Sequence, residues 1–464
     1  MMAETTLTFT GHDHVRVREH LYPGDGCEAA AVLICTRTLG PRLRLLVQEV
    51  LLVPHAECSR REPDRLTWPG RWLAKAVEVG EEDERTLILI HSHPGGLFSF
   101  SSADDHSDQV VLPTLFADYG DLHGTAIMTP DGAVKARLYT PDMNRRTVDL
   151  VSVIGDDLQF WDGNARWDAP RHRPMAFGEM APELGRLRAA IIGVSGTGSI
   201  VAEQVARLGF GQTILIDFDQ MEAKNLNRIL NSTLDDARTN RPKVDMMAAA
   251  IASYRGPGVA VPVAASIASR EGILAASQAD VMFCCVDTLE ARMIADRIAA
   301  AFLIPLFDVG VVIPVMQRPE GMRIAEVAGR IDYVKPGGST LADRGLYTPE
   351  SLAAEELRLN NPEEYDRRLK EGYIRGAAVE APSVIALNTI AAGECVLEFI
   401  ARAYPFRHDE NRLCARTKFT LAAREREQWA DSDFAITPNP IVGQGAAEPL
   451  LGMPKFGPPK KKHP

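Results

Sequence analysis

Two short patterns in this sequence carry side chains able to do chemistry. The first is His91-Ser92-His93-Pro94, followed by Ser101 and Asp104. It follows the apolar run TLILI (86–90) directly, a run that reads as a strand. Side chains at i and i+2 of a strand share a face, so His91 and His93 can grip one ion. Asp104, returning from the following loop, can add a carboxylate. Two imidazoles and a carboxylate leave one corner of a tetrahedron open to water, the arrangement of a hydrolytic zinc site. Such a site also needs a general base close by. Asp105 and His106 crowd the same loop as competing donors.

The second pattern is IIGVSGTGS (191–199), which sets Gly193, Gly196 and Gly198 between a strand and a helix. Glycines there permit a tight turn and let backbone N–H groups approach phosphates at a helix N-terminus. The next strand ends in Asp217-Phe218-Asp219, where a carboxylate could accept ribose hydroxyls. On its own this pattern suits any dinucleotide enzyme.

The elements that must position these residues differ between the two parts of the chain. Up to about residue 150, the runs 29–36, 43–53, 86–93 and 124–129 read as strands, and PDMNRR (141–146) as a turn. The polar stretch 162–175 is the best candidate boundary. Beyond it, apolar strands at 187–194, 213–217, 280–287 and 304–312 alternate with helices, which predicts a parallel, doubly wound sheet. Residues 347–372 read as a solvated helical insertion, 381–404 as a buried amphipathic helix, and GMPKFGPPKKKHP as a disordered tail.

Composition bounds the answer. The chain has 464 residues, which predicts two or more domains. At 45% hydrophobic and 24% charged it is neither disordered nor fibrous. A net charge of -11 speaks against nucleic acid as the partner. The seven cysteines include no CxxC pair, so neither a disulfide framework nor a cysteine-built zinc site is expected. No signal peptide and no apolar run near the roughly 20 residues of a membrane span is present, and the expectation is a cytoplasmic protein that does not engage a membrane.

With these residues in hand, the first pattern resembles the JAMM (JAB/MPN) metalloprotease motif HxHPxxxxxxSxxD, filled by His91, His93, Pro94, Ser101 and Asp104. The resemblance implies His91, His93 and Asp104 as zinc ligands, Ser101 as support for the tetrahedral oxyanion, and an upstream glutamate that activates water. Glu28 in CEAAAVLI fits that glutamate, with Glu49 the fallback. The second pattern, continued by DFDQMEAKNLNR (217–228), Lys243 in RPKVD and VDTLEAR (286–292), resembles the E1-like (ThiF/MoeB) adenylating family over roughly 170–405. That resemblance implies ATP on the Gly193–Gly196–Gly198 turn with Asp217 and Asp219 beside the ribose. It also implies Asn225, Arg228 and Lys243 on the phosphates, Mg²⁺ on Asp287, and Arg173 reaching an ATP phosphate from a partner subunit. Where relatives carry a CxxC zinc knuckle, this chain has Thr340 and Asp343, so that structural zinc is expected to be absent. Cys284, Cys285 and Cys395 read as core; Cys414 is the exposed thiol candidate, and Ser339, Thr340 and Ser383 are hydroxyl candidates for a covalent adduct.

The expected architecture is therefore α/β throughout: a JAMM-type domain at 1–155, a Rossmann-like doubly wound E1/ThiF domain at 165–405, and a C-terminal extension at 406–464. The expected function is a bifunctional enzyme of a bacterial ubiquitin-like modification pathway, of the kind sometimes tied to antiphage defence. It would cleave after the C-terminal glycine of a ubiquitin-like protein and adenylate the carboxylate so exposed. An E2-like protein and a second copy of the chain complete the expected partners. The same activities could instead mature a ThiS/MoaD-like sulfur carrier, and a non-catalytic scaffold is the third reading.

Overall fold

The computed structural model describes residues 2–163, 183–318, 321–370 and 384–458. Contacts divide the chain into two units. One holds 3–173 together with 301–303 and 441–464; the other holds 1–2, 174–300 and 304–440.

The first unit is built on a nine-stranded mixed sheet. Its strands are β1 (Thr5–Thr10), β2 (Ala30–Arg37), β3 (Leu43–Leu52), β6 (Thr86–Ser92), β7 (His123–Met128), β8 (Val134–Tyr139), β9 (Arg145–Thr147), β10 (Leu150–Ile154) and β11 (Leu158–Asp162); β4 (Arg60–Glu62) and β5 (Arg65–Thr67) form a separate hairpin. The order is β11-β10-β1-β3-β2-β6-β7-β8-β9. Three helices cover it: α1 (Gly11–Leu21), α2 (Arg71–Glu81) and α3 (Ser102–Asp118). Alternation along β2 explains the layering. Ala31, Leu33 and Cys35 join Val17 and Leu21 of α1 in one core, whereas Val32 and Ile34 join Ala76 of α2 and Leu112 and Leu115 of α3 in the other. β6 and β7 are parallel, and α3 is the crossover that makes this possible.

The second unit carries an eight-stranded sheet. β12 (Arg188–Ile192), β13 (Gln212–Ile216), β14 (Ala260–Val263), β15 (Val281–Cys284) and β16 (Leu306–Val312) run parallel, and β19 (Ala328–Val334), β20 (Arg416–Thr420) and β21 (Glu425–Trp429) continue it antiparallel. β17 (Val315–Arg318) and β18 (Gly321–Ile324) form a hairpin of their own. The helices are α4 (Gly196–Leu208), α5 (Leu234–Arg238), α6 (Lys243–Arg255), α7 (Arg270–Ala276), α8 (Leu289–Ala301), α9 (Pro349–Asn360), α10 (Pro362–Lys370) and α11 (Ile385–Ala403). The parallel order β14-β13-β12-β15-β16 reverses between β12 and β15, which makes the carboxyl ends of those two strands the ligand crevice of a doubly wound sheet. Phe283, Phe307 and Phe399 pack as an aromatic cluster between β15, β16 and α11.

Several expectations need amendment. Residues 416–429, expected in an extension, complete the second unit's sheet with β20 and β21. Residues expected as a disordered tail form a 3-10 turn at Pro454–Phe456 with Phe456 buried, and 441–458 pack with the first unit. There Thr36 Oγ1 donates to the Gly443 carbonyl (2.6 Å), and Gly445, at φ +60°, lies so close to Arg37 that a Cβ would meet its carbonyl oxygen at 2.7 Å. The terminal lysines Lys460–Lys462 lie outside the described residues. Arg145 and Arg146, read as part of a turn, belong to the edge strand β9.

Candidate metal centre and nucleotide cradle

In the first unit, strand pairing rather than sequence proximity assembles the cluster. Ala30 faces His91 in the antiparallel β2–β6 ladder, so continuing that register by two residues sets Glu28 across from His93. Ser92 locks the end of the ladder: its N–H donates to the Ala29 carbonyl (3.0 Å) and its Oγ accepts the Ala29 N–H (2.9 Å). Among the described residues, Glu28, His91 and His93 bring ligating atoms within 4.8 Å of one another; neither Glu49 on β3 nor Asp104 is in that group.

The helix start supplies the fourth residue. Ser101 is the N-cap of α3 and Asp104 its N3 residue; Asp104 N–H donates to Ser101 Oγ (3.2 Å) and Ser101 N–H to Asp104 Oδ2 (2.5 Å). The S-x-x-D spacing is thus a capping box, and it holds the Asp104 carboxylate rigidly towards the histidines. His91 Nε2 lies 3.0 Å from Asp104 Oδ1, His93 Nε2 lies 3.5 Å from Oδ2, and the two Nε2 atoms are 3.2 Å apart. Ligands bound at about 2.1 Å around a tetrahedral ion sit about 3.4 Å from one another, so the two Nε2 atoms and the Asp104 carboxylate, one oxygen turned to each histidine, have spacings close to those of such a site. His93 is also held in orientation. Its Nδ1 lies 2.8 Å from the Leu97 carbonyl, which can only accept, so Nδ1 carries a proton and Nε2 is the nitrogen turned towards Asp104 and His91.

Electrostatics match this geometry. Burial pushes the Glu28 carboxyl up from the ordinary glutamate range, against the pull of His91 and His93. Burial also works to raise the Asp104 carboxyl, but hydrogen bonds from His91 and His93 win and hold it well below the usual range. Burial works to lower the His93 imidazole, and the Asp104 and Leu97 hydrogen bonds reverse it into a raised value. The competing donors are accounted for. Asp105 pairs with Arg137, which also binds Asp108 (2.7 Å) and lies over the Phe100 ring (3.8 Å to its centroid), while His106 is exposed on α3.

In the second unit, the glycine turn lies at the crevice between β12 and β15. Gly193 has φ +82°, and a Cβ there would meet the Cys285 carbonyl oxygen at 3.0 Å; a Cβ at Gly198 would meet the Gly193 carbonyl oxygen at 1.7 Å. Gly196 opens α4. Asp217, buried at the end of β13, accepts the N–H of Val194 (2.7 Å) and of Asp219 (2.9 Å). Burial pushes its carboxyl up, opposed by Lys243. Lys243 is buried and donates to Asp219 Oδ2 (2.7 Å). Asn225 is buried, with its Oδ1 accepting the Glu222 N–H (3.0 Å). Ser199 Oγ accepts the Leu230 N–H (3.0 Å), fastening α4 to the loop that carries Asn225 and Arg228. Arg228 is half-buried and donates to the Lys224 carbonyl (2.9 Å) within that loop. Asp287 is exposed just past β15, on the other side of the crevice. Arg173 and Ser383 lie outside the described residues.

The nucleophile candidates change. Cys414, expected to be exposed, is 3% exposed, and burial raises its thiol. Ser339 is fully buried; it donates to Asp431 Oδ1 (2.5 Å) and accepts from Arg344 Nε (2.9 Å), a structural assignment for both its bonds. Thr340 and Asp343 form a capping pair (Oγ1 to Oδ2, 2.8 Å), so a hydrogen-bonded staple stands where a CxxC knuckle was considered. Cys284 and Cys395 are buried core residues, as expected, whereas Cys285, also expected in the core, is half-buried just past the end of β15. Sequence reasoning missed Arg292 and Glu355, whose contacts with the Asp287 loop are described below. No helix among the described residues is long and apolar enough to cross a membrane.

Comparison with known proteins places both halves. The ThiF family matches residues 174–413, just over half of the chain, and the prokaryotic homologs of the JAB domain match 14–138. Ubiquitin-like modifier-activating enzyme 5 of Drosophila grimshawi is 30% identical over 161 residues, 32% of this chain and 37% of that protein; its Drosophila melanogaster counterpart is 29% identical over 161 residues, covering 32% and 36%. The chain thus spans little more than a third of these relatives. Among solved structures, E. coli MccB with ATP is similar with a TM-score of 0.41 and 16% identity, over 57% of this chain and 68% of that one.

Proposed function

This chain belongs to the ThiF family, and from that premise we propose a bifunctional enzyme of a ubiquitin-like modification pathway. The observation that carries the proposal is the coexistence in one chain of a His91–His93–Asp104–Glu28 cluster and a glycine-lined cradle facing Asp287. The first would hydrolyse the bond after a carrier's C-terminal glycine; the second would activate the carboxylate released. Both act on the same chain end, which is the reason for joining them.

In the adenylation half, the carrier carboxylate oxygen attacks the α-phosphorus of ATP, the bond to the β-phosphate oxygen breaks, and pyrophosphate leaves. The charge developing in that step needs fixed cations and N–H dipoles. The Gly193–Gly198 backbone and the start of α4 supply dipoles, and Asp217 and Asp219 would hold the ribose. Lys243, now paired with Asp219, would turn to the phosphates together with Asn225 and Arg228. Mg²⁺ on Asp287 would neutralise phosphate charge when bound. Arg173 of a second copy would complete the site in a homodimer.

In the hydrolytic half, His91, His93 and Asp104 would hold zinc, which when bound acidifies water and polarises the scissile carbonyl. Glu28 would take the proton from the attacking water and return it to the leaving amine. The Ser101 hydroxyl, whose oxygen accepts the Asp104 N–H, still has its own proton to donate to the oxyanion. The described thiols of the second unit are buried or half-buried and raised by burial, which favours handing the adenylate on, to an E2-like partner, over a thioester on Cys414.

The test is exchange of labelled pyrophosphate into ATP in the presence of a ubiquitin-like carrier ending in glycine. Carrier-dependent exchange is expected; ATP binding with no exchange for any glycine-terminated carrier would refute the adenylation role. A companion variant checks the cradle. A Cβ on Gly198 must displace the Gly193 carbonyl, and overpacking of this kind costs about 1–3 kcal/mol. Gly198→Ala is therefore expected to weaken ATP binding by about tenfold or more in a calorimetric titration while leaving the metal content of the first unit intact. Unchanged affinity would place the nucleotide elsewhere.

A further inference from the structure

The charge-dense helices read from the sequence as a solvated insertion hold one carboxylate in a defined place. We propose that Glu355 of α9 is a positioning residue of the adenylation site, holding the loop that presents Asp287; the inference rests on the reading of Asp287 as the Mg²⁺ residue.

Glu355 Oε1 accepts the N–H of Leu289 (3.0 Å) and Oε2 that of Glu290 (2.9 Å), the first two residues of α8. N–H groups at a helix start have no partner within the helix and carry partial positive charge. A carboxylate that takes two of them fixes both the place and the rotation of the helix start. Asp287 stands two residues upstream, separated by Thr288 alone, so displacement of the helix start passes to its carboxylate through two peptide units.

A second grip holds the other end of the loop. Arg292, in the first turn of α8, donates to the Val286 carbonyl (2.7 Å) and, through Nε, to Asp308 Oδ1 (3.1 Å). Asp308 is fully buried and also binds Arg330 (2.7 Å), which continues to Asp332 (2.6 Å). Removing either member of a buried pair leaves a charge uncompensated, so Arg292 is anchored and its hold on Val286 is rigid. Asp287 is thus the exposed tip of a loop held before it by Arg292 and after it by Glu355. The Glu355 contact joins residues 65 and 66 apart in sequence, so the loop is complete only when the inserted helix is docked.

The experiment compares the full-length wild type with Glu355→Gln, Asp287→Ala and, as a control on the same helix, Glu356→Gln. Mn²⁺ affinity of the enzyme–ATP complex is read by electron paramagnetic resonance, ATP affinity without divalent ion by calorimetry, and melting temperature on the same samples. Loss of a supporting residue around a metal site costs about 10- to 100-fold in metal affinity. Glu355→Gln is expected at the low end, about tenfold, with metal-free ATP affinity, melting temperature and the Glu356→Gln control unchanged. Wild-type Mn²⁺ affinity in Glu355→Gln beside a weakened Asp287→Ala overturns the inference alone. Early melting that accounts for the loss in Glu355→Gln makes the contact merely structural and overturns it too. Wild-type affinity in Asp287→Ala, or no ATP-dependent Mn²⁺ binding in any sample, overturns the reading of Asp287 and the inference with it.

Discussion

Glu28→Ala is expected to abolish cleavage of a carrier precursor while leaving zinc bound. The separation of effects follows from the geometry. The two Nε2 atoms and the Asp104 carboxylate stand together at ligand spacing, and neither His93 nor Asp104 relies on Glu28 for orientation: His93 is fixed by the Leu97 carbonyl and Asp104 by the Ser101 capping box. The structural bonds at residue 28 are made by its backbone, whose N–H donates to the Glu62 carbonyl and whose carbonyl accepts from Arg61. Truncating the side chain therefore removes a base and little else. General acid–base catalysis contributes about 100- to 10,000-fold, so the cleavage rate should fall by that factor, with one zinc per chain retained in elemental analysis. A variant that cleaves normally would move the base to Glu49; a variant that loses its zinc would make Glu28 a ligand instead.

Asp287→Ala is expected to eliminate pyrophosphate exchange and leave cleavage untouched. Asp287 is exposed at the crevice where the strand order reverses, and exposed substitutions away from packed features change stability by about 0.5 kcal/mol or less. Removing one electrostatic contact to a charge that develops during reaction costs about 100- to 1,000-fold in rate. The melting temperature should stay put while exchange disappears, and a single preparation assayed for both activities separates the two sites. Loss of both activities in that preparation would contradict the assignment of each reaction to its own unit.

The two sites were legible in the sequence to different depths, for physical reasons. His91, His93, Ser101 and Asp104 lie within one strand–loop–helix passage, so local periodicity and capping place them. The glycine turn reads equally well because steric demands at Gly193 and Gly198 are local. Choosing between Glu28 and Glu49 required the β2–β6 register, a pairing of residues about 60 apart that no single-chain pattern specifies. Cys414 looked exposed because its neighbours Arg412 and Arg416 are polar; in the fold Arg402 donates to the Cys414 carbonyl (2.8 Å) and the thiol is buried. Ser339 looked reactive until the buried Arg344 and Asp431 closed around it. Glu355 had no signal at all, since a glutamate on a charged helix shows its role only once the helix docks.

Whether one chain both trims and activates the same carrier is decided by intact-mass spectrometry of a ubiquitin-like precursor incubated with the full-length protein, with and without MgATP. Loss of the residues beyond the terminal glycine is expected without ATP, and an added mass of adenylate on the trimmed carrier only when MgATP is present. Trimming without any ATP-dependent change, or an adenylate formed on the untrimmed precursor, would contradict the proposed bifunctional role.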